Sequence, residues 1–131
     1  MTPTDKKTVL LVEDDESVRQ LVRVTLDMNG YEVIEAKDGL EGLLLMDVHR
    51  PDAIVLDLMM PGVNGYDVLD AVRHSSELDE VPVLILTAVT LSRERERCLA
   101  EGADAVMTKP FDPGDVADAV EGLLSTQTKA S

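Results

Sequence analysis

Short apolar runs and amphipathic stretches alternate five times along this chain. The apolar runs are four or five residues long, as at residues 9–12, 53–56 and 83–86, and a polar or charged residue follows each of these three. Continuous apolar runs of this length are typical of strands that are buried on both faces of a parallel sheet. The stretches between them place apolar residues at helical spacing, and the first stretch has one face made of Val18, Leu21, Val22, Thr25 and Leu26.

The alternation predicts a single α/β domain in which helices cover both faces of a parallel sheet. Asn29-Gly30 is a residue pair typical of a helix end, and Asp38 is a typical cap for the start of the second helix. The strand order does not follow from the periodicity. The predicted strands span about residues 8–13, 32–36, 53–57, 83–87 and 105–108, and the predicted helices span about residues 16–28, 39–49, 66–73, 92–101 and 113–124.

Reactive side chains stand where four of the predicted strands end. Glu13 and Asp14 follow the first strand, and the third, fourth and fifth strands end at Asp57, Thr87 and Lys109. The carboxyl ends of parallel strands lie along one edge of an open sheet, and ligands bind in the crevice outside that edge. We therefore expect these residues, which are far apart in sequence, to meet in one pocket.

Such a pocket suits phosphoryl transfer. Neighbouring carboxylates repel one another unless one is protonated or a cation lies between them, and Mg2+ is a hard cation that takes oxygen ligands. Lys109 and Thr87 would supply a positive charge and a hydroxyl donor for a phosphoryl group, while Asp57 would act as the nucleophile. Each residue alone also has a simpler interpretation, with Asp57 as a turn former, Thr87 as a capping hydroxyl and Lys109 as a surface amine.

The residues around these strand ends resemble the signature of the receiver domain of bacterial two-component response regulators. The resemblance covers about residues 7–125 and implies a flavodoxin-like, doubly wound sheet of five parallel strands in the order 2-1-3-4-5, with five helices. It also implies a stand-alone, chemotaxis-regulator-like type, which the length of 131 residues favours over a regulator with an output domain. The four motifs, in order, are Val12-Glu13-Asp14-Asp15-Glu16, Asp57-Leu58-Met59-Met60-Pro61-Gly62-Val63-Asn64-Gly65, Leu86-Thr87-Ala88 and Thr108-Lys109-Pro110-Phe111.

The resemblance implies a role for each residue of the expected pocket. Asp57 is implied as the phosphoacceptor, Thr87 as the switch hydroxyl, and Lys109 as the lysine that contacts the phosphoryl group. Asp15 is the ambiguous member of the acidic cluster, and we expect it to favour the start of the first helix instead. The bond between Lys109 and Pro110 is expected to be cis. The implied Mg2+ ligands are Glu13, Asp14, Asp57 and the backbone carbonyl of Met59.

Three features depart from the family pattern. Many receivers have an aromatic residue three positions before the lysine, but this chain has Val106 there, so a ring switch cannot operate at that position. Met59 and Val89, at the positions that flank the attacking water in the family, are both apolar, and Glu13 replaces the commoner Asp. Without a ring at Val106, we expect the signal to use displacement of the backbone and the fourth helix, or another residue. Because Met59 and Val89 cannot hold the attacking water, we expect the phosphorylated form to be long-lived.

Charge and composition limit the partners. The chain has 26 acidic and 12 basic residues, a net charge of −14, and no cluster of Lys and Arg, so we expect no direct binding of nucleic acid. No apolar run approaches the roughly 18 residues that span a bilayer, so no membrane insertion is expected. The single Cys98 fits a reducing compartment, and a cytoplasmic location is expected. The alternating charges at residues 93–97 predict a solvated helix face first and a docking surface second.

Three functions compete. The favoured one is a signalling switch that accepts a phosphoryl group on Asp57 from a histidine kinase or phosphotransfer protein. It would then contact a downstream protein through the face of the fourth helix, fifth strand and fifth helix, as a monomer or a phosphorylation-linked dimer. The alternative is a phosphorylation-independent interaction module with the receiver fold, which Val106 favours and the intact pocket disfavours. A hydrolase that uses an aspartyl phosphate is disfavoured because Met59 stands where such enzymes carry a second Asp.

The expected domain division is simple. Residues 1–6 form a disordered amino terminus, residues 7–125 form the receiver domain, and residues 126–131 form a polar carboxyl-terminal tail. Such a protein would catalyse only its own phosphorylation and dephosphorylation and would not be an enzyme that acts on external substrates.

Overall fold

The computed structural model describes residues 6–60, 62–88 and 92–130, with side chains through residue 125. All ten predicted elements are present, and they alternate from strand to helix along the chain. The strands are β1 (Thr8–Val12), β2 (Glu32–Ala36), β3 (Ala53–Asp57), β4 (Val83–Thr87) and β5 (Ala105–Thr108). The helices are α1 (Glu16–Met28), α2 (Gly39–His49), α3 (Gly65–Arg73), α4 (Ser92–Ala100) and α5 (Pro113–Ala130).

Most element bounds match the predicted ones, three differ by one residue, and the end of α5 differs by six. β1 stops at Val12, which leaves Glu13 in the turn before α1, and α5 runs to Ala130 where the pattern predicted an end near residue 124. The backbone of the predicted tail therefore continues α5. Residues 1–5 of the predicted disordered segment lie outside the described residues.

The sheet has the order β2-β1-β3-β4-β5, and all neighbouring strands are parallel, which confirms the order that the resemblance implied. Successive residues of β1 pack into opposite core layers, as the period of a strand requires. Leu10 packs in the layer beneath α2, α3 and α4, whereas Leu11 packs in the layer beneath α1 and α5. The sheet is therefore buried on both faces, and the ends of its strands remain available for a site.

Capping side chains begin three of the helices. Asp15 Oδ1 accepts a hydrogen bond from the Val18 N–H at 3.0 Å at the start of α1, which agrees with the role expected for Asp15. Asp38 caps α2 as predicted, and Asn64 forms a capping box with Asp67 at the start of α3. No helix of the described part of the chain is long and apolar enough to cross a membrane.

Candidate functional site

The residues expected in one pocket do lie along one edge of the sheet. Asp57 and Thr87 are the last residues of β3 and β4, and both are buried, with Asp57 2% exposed. The Lys109 ammonium nitrogen lies 2.8 Å from Glu13 Oε1 and 3.4 Å from Asp57 Oδ1. The Lys109 backbone N–H donates to the Thr87 carbonyl at 2.7 Å, which ties the end of β5 to that of β4. One ammonium thus bridges two carboxylates that are 44 positions apart in sequence.

The backbone of the surrounding turns holds the two buried carboxylates in place. Glu13 is fully buried, and its Oε2 accepts a hydrogen bond from the Asp15 N–H at 3.1 Å. Asp57 Oδ1 accepts from the Met59 N–H at 3.2 Å, so Met59 lies directly beside the site while its side chain is exposed. Asp14, in contrast, is exposed and marks the side on which the pocket opens to solvent.

The pKa values of Asp57 and Asp14 are shifted in opposite directions. Burial, together with the Asp14 and Glu13 carboxyl groups, raises the pKa of Asp57 to about 8, although the Lys109 ammonium acts in the opposite direction. Burial opposes the shift of Asp14, but hydrogen bonding with Asp57 and Glu13 outweighs it and lowers the pKa of Asp14. Near neutral pH and without a bound cation, the cluster therefore keeps a proton on Asp57. This is the outcome expected for carboxylates that repel one another.

Burial would also lower the pKa of Lys109, but the Glu13 carboxylate, together with Asp57 when it is ionised, outweighs burial and raises that pKa. The ammonium therefore stays charged over the whole physiological range. A fixed cation beside an acidic nucleophile gives the pocket one permanent positive group for a phosphoryl oxygen.

The oxygen atoms of this cluster fit a divalent cation. One carboxylate oxygen from each of Glu13, Asp14 and Asp57 lies within 4.8 Å of the other two. Glu13 Oε1 is buried, and the Lys109 ammonium lies 2.8 Å from it. Buried acceptors are nearly always hydrogen-bonded, and carboxylate oxygens are the ligands that Mg2+ prefers. A carboxylate oxygen with one ammonium partner still has a lone pair for a metal ion, so Glu13 Oε1 suits a metal ligand.

An apolar cavity of about 480 Å³ adjoins the Lys109 side of the pocket. Leu21 lines this cavity and is 53% exposed, although it belongs to the same apolar face of α1 as Val22 and Leu26. The fully buried residues of α1 are Val22 and Leu26, and residue 21 lies about 100° around the helix from residue 22. The Lys109–Pro110 bond at the cavity wall is cis, as the resemblance implied.

Two residues that sequence reasoning did not single out make contacts near the site. Arg19 Nη1 donates to the Glu13 carbonyl at 2.9 Å. Tyr66, in the first turn of α3, donates its hydroxyl to Glu94 of α4, and the Arg97 guanidinium carbon lies 3.9 Å from the centroid of its ring. Neither had a sequence signal, because an arginine or tyrosine on an amphipathic helix is ordinarily a surface or core residue.

The departures from the family pattern have different outcomes. Val106 is half-buried, and its carbonyl accepts a hydrogen bond from Arg95 Nη1 at 3.0 Å, so this strand position is linked to α4 through its backbone. Arg93, Arg95, Glu96 and Arg97 are exposed, which confirms the predicted solvated face, whereas Glu94 is half-buried against Tyr66. Val89, expected beside Met59, lies outside the described residues.

Comparison with known proteins gives a consistent result. A family model of the response regulator receiver domain matches residues 9–121. The chain is 38% identical over 116 residues to the DNA-binding dual master transcriptional regulator RpaA of Synechocystis sp., covering 88% of this chain and 48% of that protein. It is 41% identical over 116 residues to the response regulator MprA of a Mycobacterium species, covering 88% of this chain and 50% of that one.

Solved structures give the same fold. The chemotaxis response regulator CheY4 of Vibrio cholerae superimposes with a TM-score of 0.85 at 36% identity, covering 90% of this chain and 98% of that chain. The chain spans about half the length of the sequence relatives it matches, but nearly the whole of this structural relative.

Proposed function

Because the chain belongs to the family of response regulator receiver domains, we propose that it is a phosphorylation-dependent signalling switch with Asp57 as its phosphoacceptor. Receiver domains are signalling components of two-component systems and are not enzymes in the ordinary sense. The observation that carries the proposal is the position of the Lys109 ammonium, which lies within 3.4 Å of both the buried Glu13 and the buried Asp57. A turn former or a surface amine does not require that arrangement.

In the proposed reaction, an oxygen of the Asp57 carboxylate attacks the phosphorus of the donor. The new O–P bond forms as the N–P bond of a phosphohistidine breaks, and the histidine nitrogen leaves with the bonding electron pair. The donor is a histidine kinase or phosphotransfer protein, because two-component systems use these. Asp57 must be ionised to attack, so the groups that counter its raised pKa matter, and Lys109 is one of them.

The acidic groups and Met59 would hold the metal that the family uses. Glu13, Asp14 and Asp57, with the Met59 carbonyl, are the proposed Mg2+ ligands. Bound Mg2+ would neutralise carboxylate and phosphoryl oxygens during transfer. Charge neutralisation by Mg2+ and by Lys109 would together favour the ionised form of Asp57. Because Asp57 is buried, few water molecules would surround its carboxylate, and the Met59 N–H would hold it in position.

Phosphorylation would be sensed at the same edge of the sheet. A phosphoryl group brings about two negative charges into a pocket where Thr87 ends β4 and Lys109 follows β5. We propose that the hydroxyl and the ammonium donate to it and that the α4-β5-α5 face passes the change to a downstream protein. With Val106 in place of a ring, the movement would involve α4 itself.

The remaining parts of the proposal concern assembly and partners. We propose a receiver unit at residues 7–125 that stays monomeric or dimerises when phosphorylated and does not itself bind nucleic acid, since its net charge is −14. The name of RpaA describes DNA binding by a protein about twice as long as this chain. A cytoplasmic location remains our prediction.

The alternative is a receiver-fold module that binds partners without phosphorylation. Val106 favours it, because the ring that many receivers use is missing. The two functions differ in one measurement, which is the intact mass after incubation with acetyl phosphate and MgCl2.

We expect wild-type protein to gain one phosphoryl group with MgCl2 and none with EDTA. Asp57→Asn is expected to remain unlabelled. Asp52→Asn is the matched control because Asp52 also lies at an end of β3, at the opposite edge of the sheet, where its Oδ2 accepts from the Thr8 N–H at 2.8 Å. Labelling of Asp57→Asn at the wild-type level would refute the assignment, and an unlabelled wild type would favour the alternative.

A further inference from the structure

Three hydrogen bonds hold Glu13, through its N–H, its carboxylate and its carbonyl. The Glu13 N–H donates to the Ala36 carbonyl of β2 at 3.1 Å, and the Glu13 carboxylate accepts from the Asp15 N–H. The third contact comes from a side chain, because Arg19 Nη1 donates to the Glu13 carbonyl at 2.9 Å. That carbonyl belongs to the planar unit that links Glu13 to Asp14, so its direction sets how both side chains leave the backbone.

Arg19 reaches this carbonyl from a fixed position. Its Nε lies 3.4 Å from Glu35 Oε1 of β2, while the other oxygen of Glu35 lies 3.3 Å from Arg23 Nε. The Arg19 side chain is only 16% exposed, compared with 39% for Arg23. A guanidinium has several donors in a rigid plane, so Arg19 contacts Glu35 and the Glu13 carbonyl together. Arg23 shares the same carboxylate but is not among the groups that contact Glu13.

We propose that Arg19 is a positioning residue for the acidic pair of the phosphorylation site. By holding the Glu13 carbonyl, it keeps the Glu13 and Asp14 carboxylates directed at Asp57, so that the three groups could hold a cation. The inference rests on the proposed function for the identity of that cation. Outer groups that orient metal ligands typically change metal affinity by about 10- to 100-fold when they are removed.

The sign of the effect separates positioning from simple charge. Arg19 is a cation near a cation site, so if it acted only through its charge, its removal would strengthen Mg2+ binding. If it holds the backbone of the ligands, its removal weakens binding, because the carboxylates then sample directions that do not converge. The pairing of Arg19 with Glu35 offsets part of its charge, which makes the positioning effect the larger of the two.

The test is a calorimetric titration with MgCl2 of wild-type protein, Arg19→Met and Arg23→Met. Methionine keeps an unbranched stem without donors, and the two variants lose an ion pair to the same Glu35. We expect Arg19→Met to raise the Mg2+ dissociation constant by about 10-fold or more and Arg23→Met to change it by less than about twofold. An Arg19→Met protein that binds Mg2+ as well as wild type, or more tightly, would overturn the proposal.

Unfolding curves in EDTA identify a variant that has simply lost its fold. If Arg19→Met does not fold, Arg19→Lys and Arg23→Lys replace the pair, because lysine keeps the charge but offers a single ammonium. Weaker Mg2+ binding by Arg19→Lys than by Arg23→Lys supports positioning, and equal binding overturns it. A wild-type protein that neither binds Mg2+ nor labels at Asp57 would instead refute the proposed function itself.

Discussion

The edge of the sheet around Asp57 and the helix α4 are held in very different ways. At the edge, Glu13 and Asp57 are almost completely buried and contact Lys109 and the backbone of the adjoining turns. In α4, Cys98 is the single buried residue. The charge of a phosphoryl group on Asp57 would therefore arise in a buried and densely connected region, whereas α4, the element expected to respond, buries little surface. Elements with little buried surface open at the lowest free-energy cost.

Tyr66 connects these two regions. Leu58 directly follows Asp57, and its carbonyl accepts a hydrogen bond from the Gly65 N–H at 3.0 Å. Tyr66 is the next residue, at the start of α3. Its hydroxyl donates to Glu94 and accepts a weak contact from Cys98 Sγ at 3.8 Å. Burial, together with the hydrogen bond to Glu94, raises the pKa of Tyr66, so the hydroxyl keeps its proton.

Space is available beside this connection. A cavity of about 420 Å³ lies between the segment that follows β3 and α4, and its lining includes Met59, Met60, Tyr66, Glu94 and Arg97. A helix with one buried residue and a neighbouring cavity can shift without a large loss of packing. The acidic edge has no comparable freedom, because movement there would separate ion pairs inside the protein.

The largest expected effect is the dependence of the unfolding free energy on pH, which we assign to Asp57 at the acidic edge. The pKa of Asp57 is raised from 3.8 to about 8 in the folded protein, so between these values the folded state binds more protons than the unfolded state. The contribution of Asp57 to stability is thus complete below about pH 4 and is lost as the pH rises through about 8. At about 1.4 kcal/mol per pKa unit, the upper limit of this contribution is about 6 kcal/mol, and relaxation of the folded protein reduces it to a few kcal/mol.

Urea unfolding in EDTA at pH 5 and pH 8.5 measures this effect. Wild-type protein is expected to lose stability over that interval, and Asp57→Asn is expected to lose clearly less. The lowered pKa of Asp14 acts with the opposite sign, but it acts below pH 4, outside the interval. The assignment fails if wild type and Asp57→Asn show the same change of unfolding free energy between the two pH values.

The second prediction concerns the turn that joins the two regions. A Cβ added at Gly65 would lie 2.6 Å from the Leu58 Cα and 2.7 Å from the Asp57 carbonyl oxygen. Both are backbone atoms, so the turn must shift, and we expect Gly65→Ala to destabilise the fold by about 1–3 kcal/mol and to slow labelling of Asp57. Urea unfolding and intact mass measure the two effects.

Gly122, on the exposed face of α5, is the matched control. A Cβ there meets nothing within 4 Å, so Gly122→Ala is expected to stabilise the protein by about 0.5–1 kcal/mol through helix propensity. Equal effects of the two substitutions would contradict the close packing of the Gly65 turn.

The alternation of apolar runs was enough to predict the ten elements and the residues at the sheet edge. This worked because strand ends in a parallel sheet share an edge whatever the strand order. The order itself came from the resemblance, since crossover connections leave no periodic signal. Leu21 belongs to the apolar face of α1 but is exposed, because apolar spacing does not show where the buried part of a helix face ends. Arg19 and Tyr66 were missed because the contacts of Arg19 with Glu35 and of Tyr66 with Glu94 join elements whose separation is set only by packing.

The smallest effect concerns the attachment of α4. Tyr66→Phe removes the hydroxyl that donates to Glu94 but keeps the ring beneath Arg97. A part-buried hydrogen bond to a carboxylate contributes about 1 kcal/mol, so amide hydrogen exchange in residues 92–100 is expected to quicken by about fivefold while global stability changes little. Tyr31→Phe is the control, because Tyr31 packs in the layer beneath α1 and α5 and its loss should leave α4 unchanged. If exchange in α4 is the same in wild type and Tyr66→Phe, or rises equally in both variants, Tyr66 does not restrain this helix. A rise in Tyr66→Phe alone would show that Tyr66 restrains α4 from the region near Asp57, in a chain that has Val106 where many receivers carry an aromatic ring.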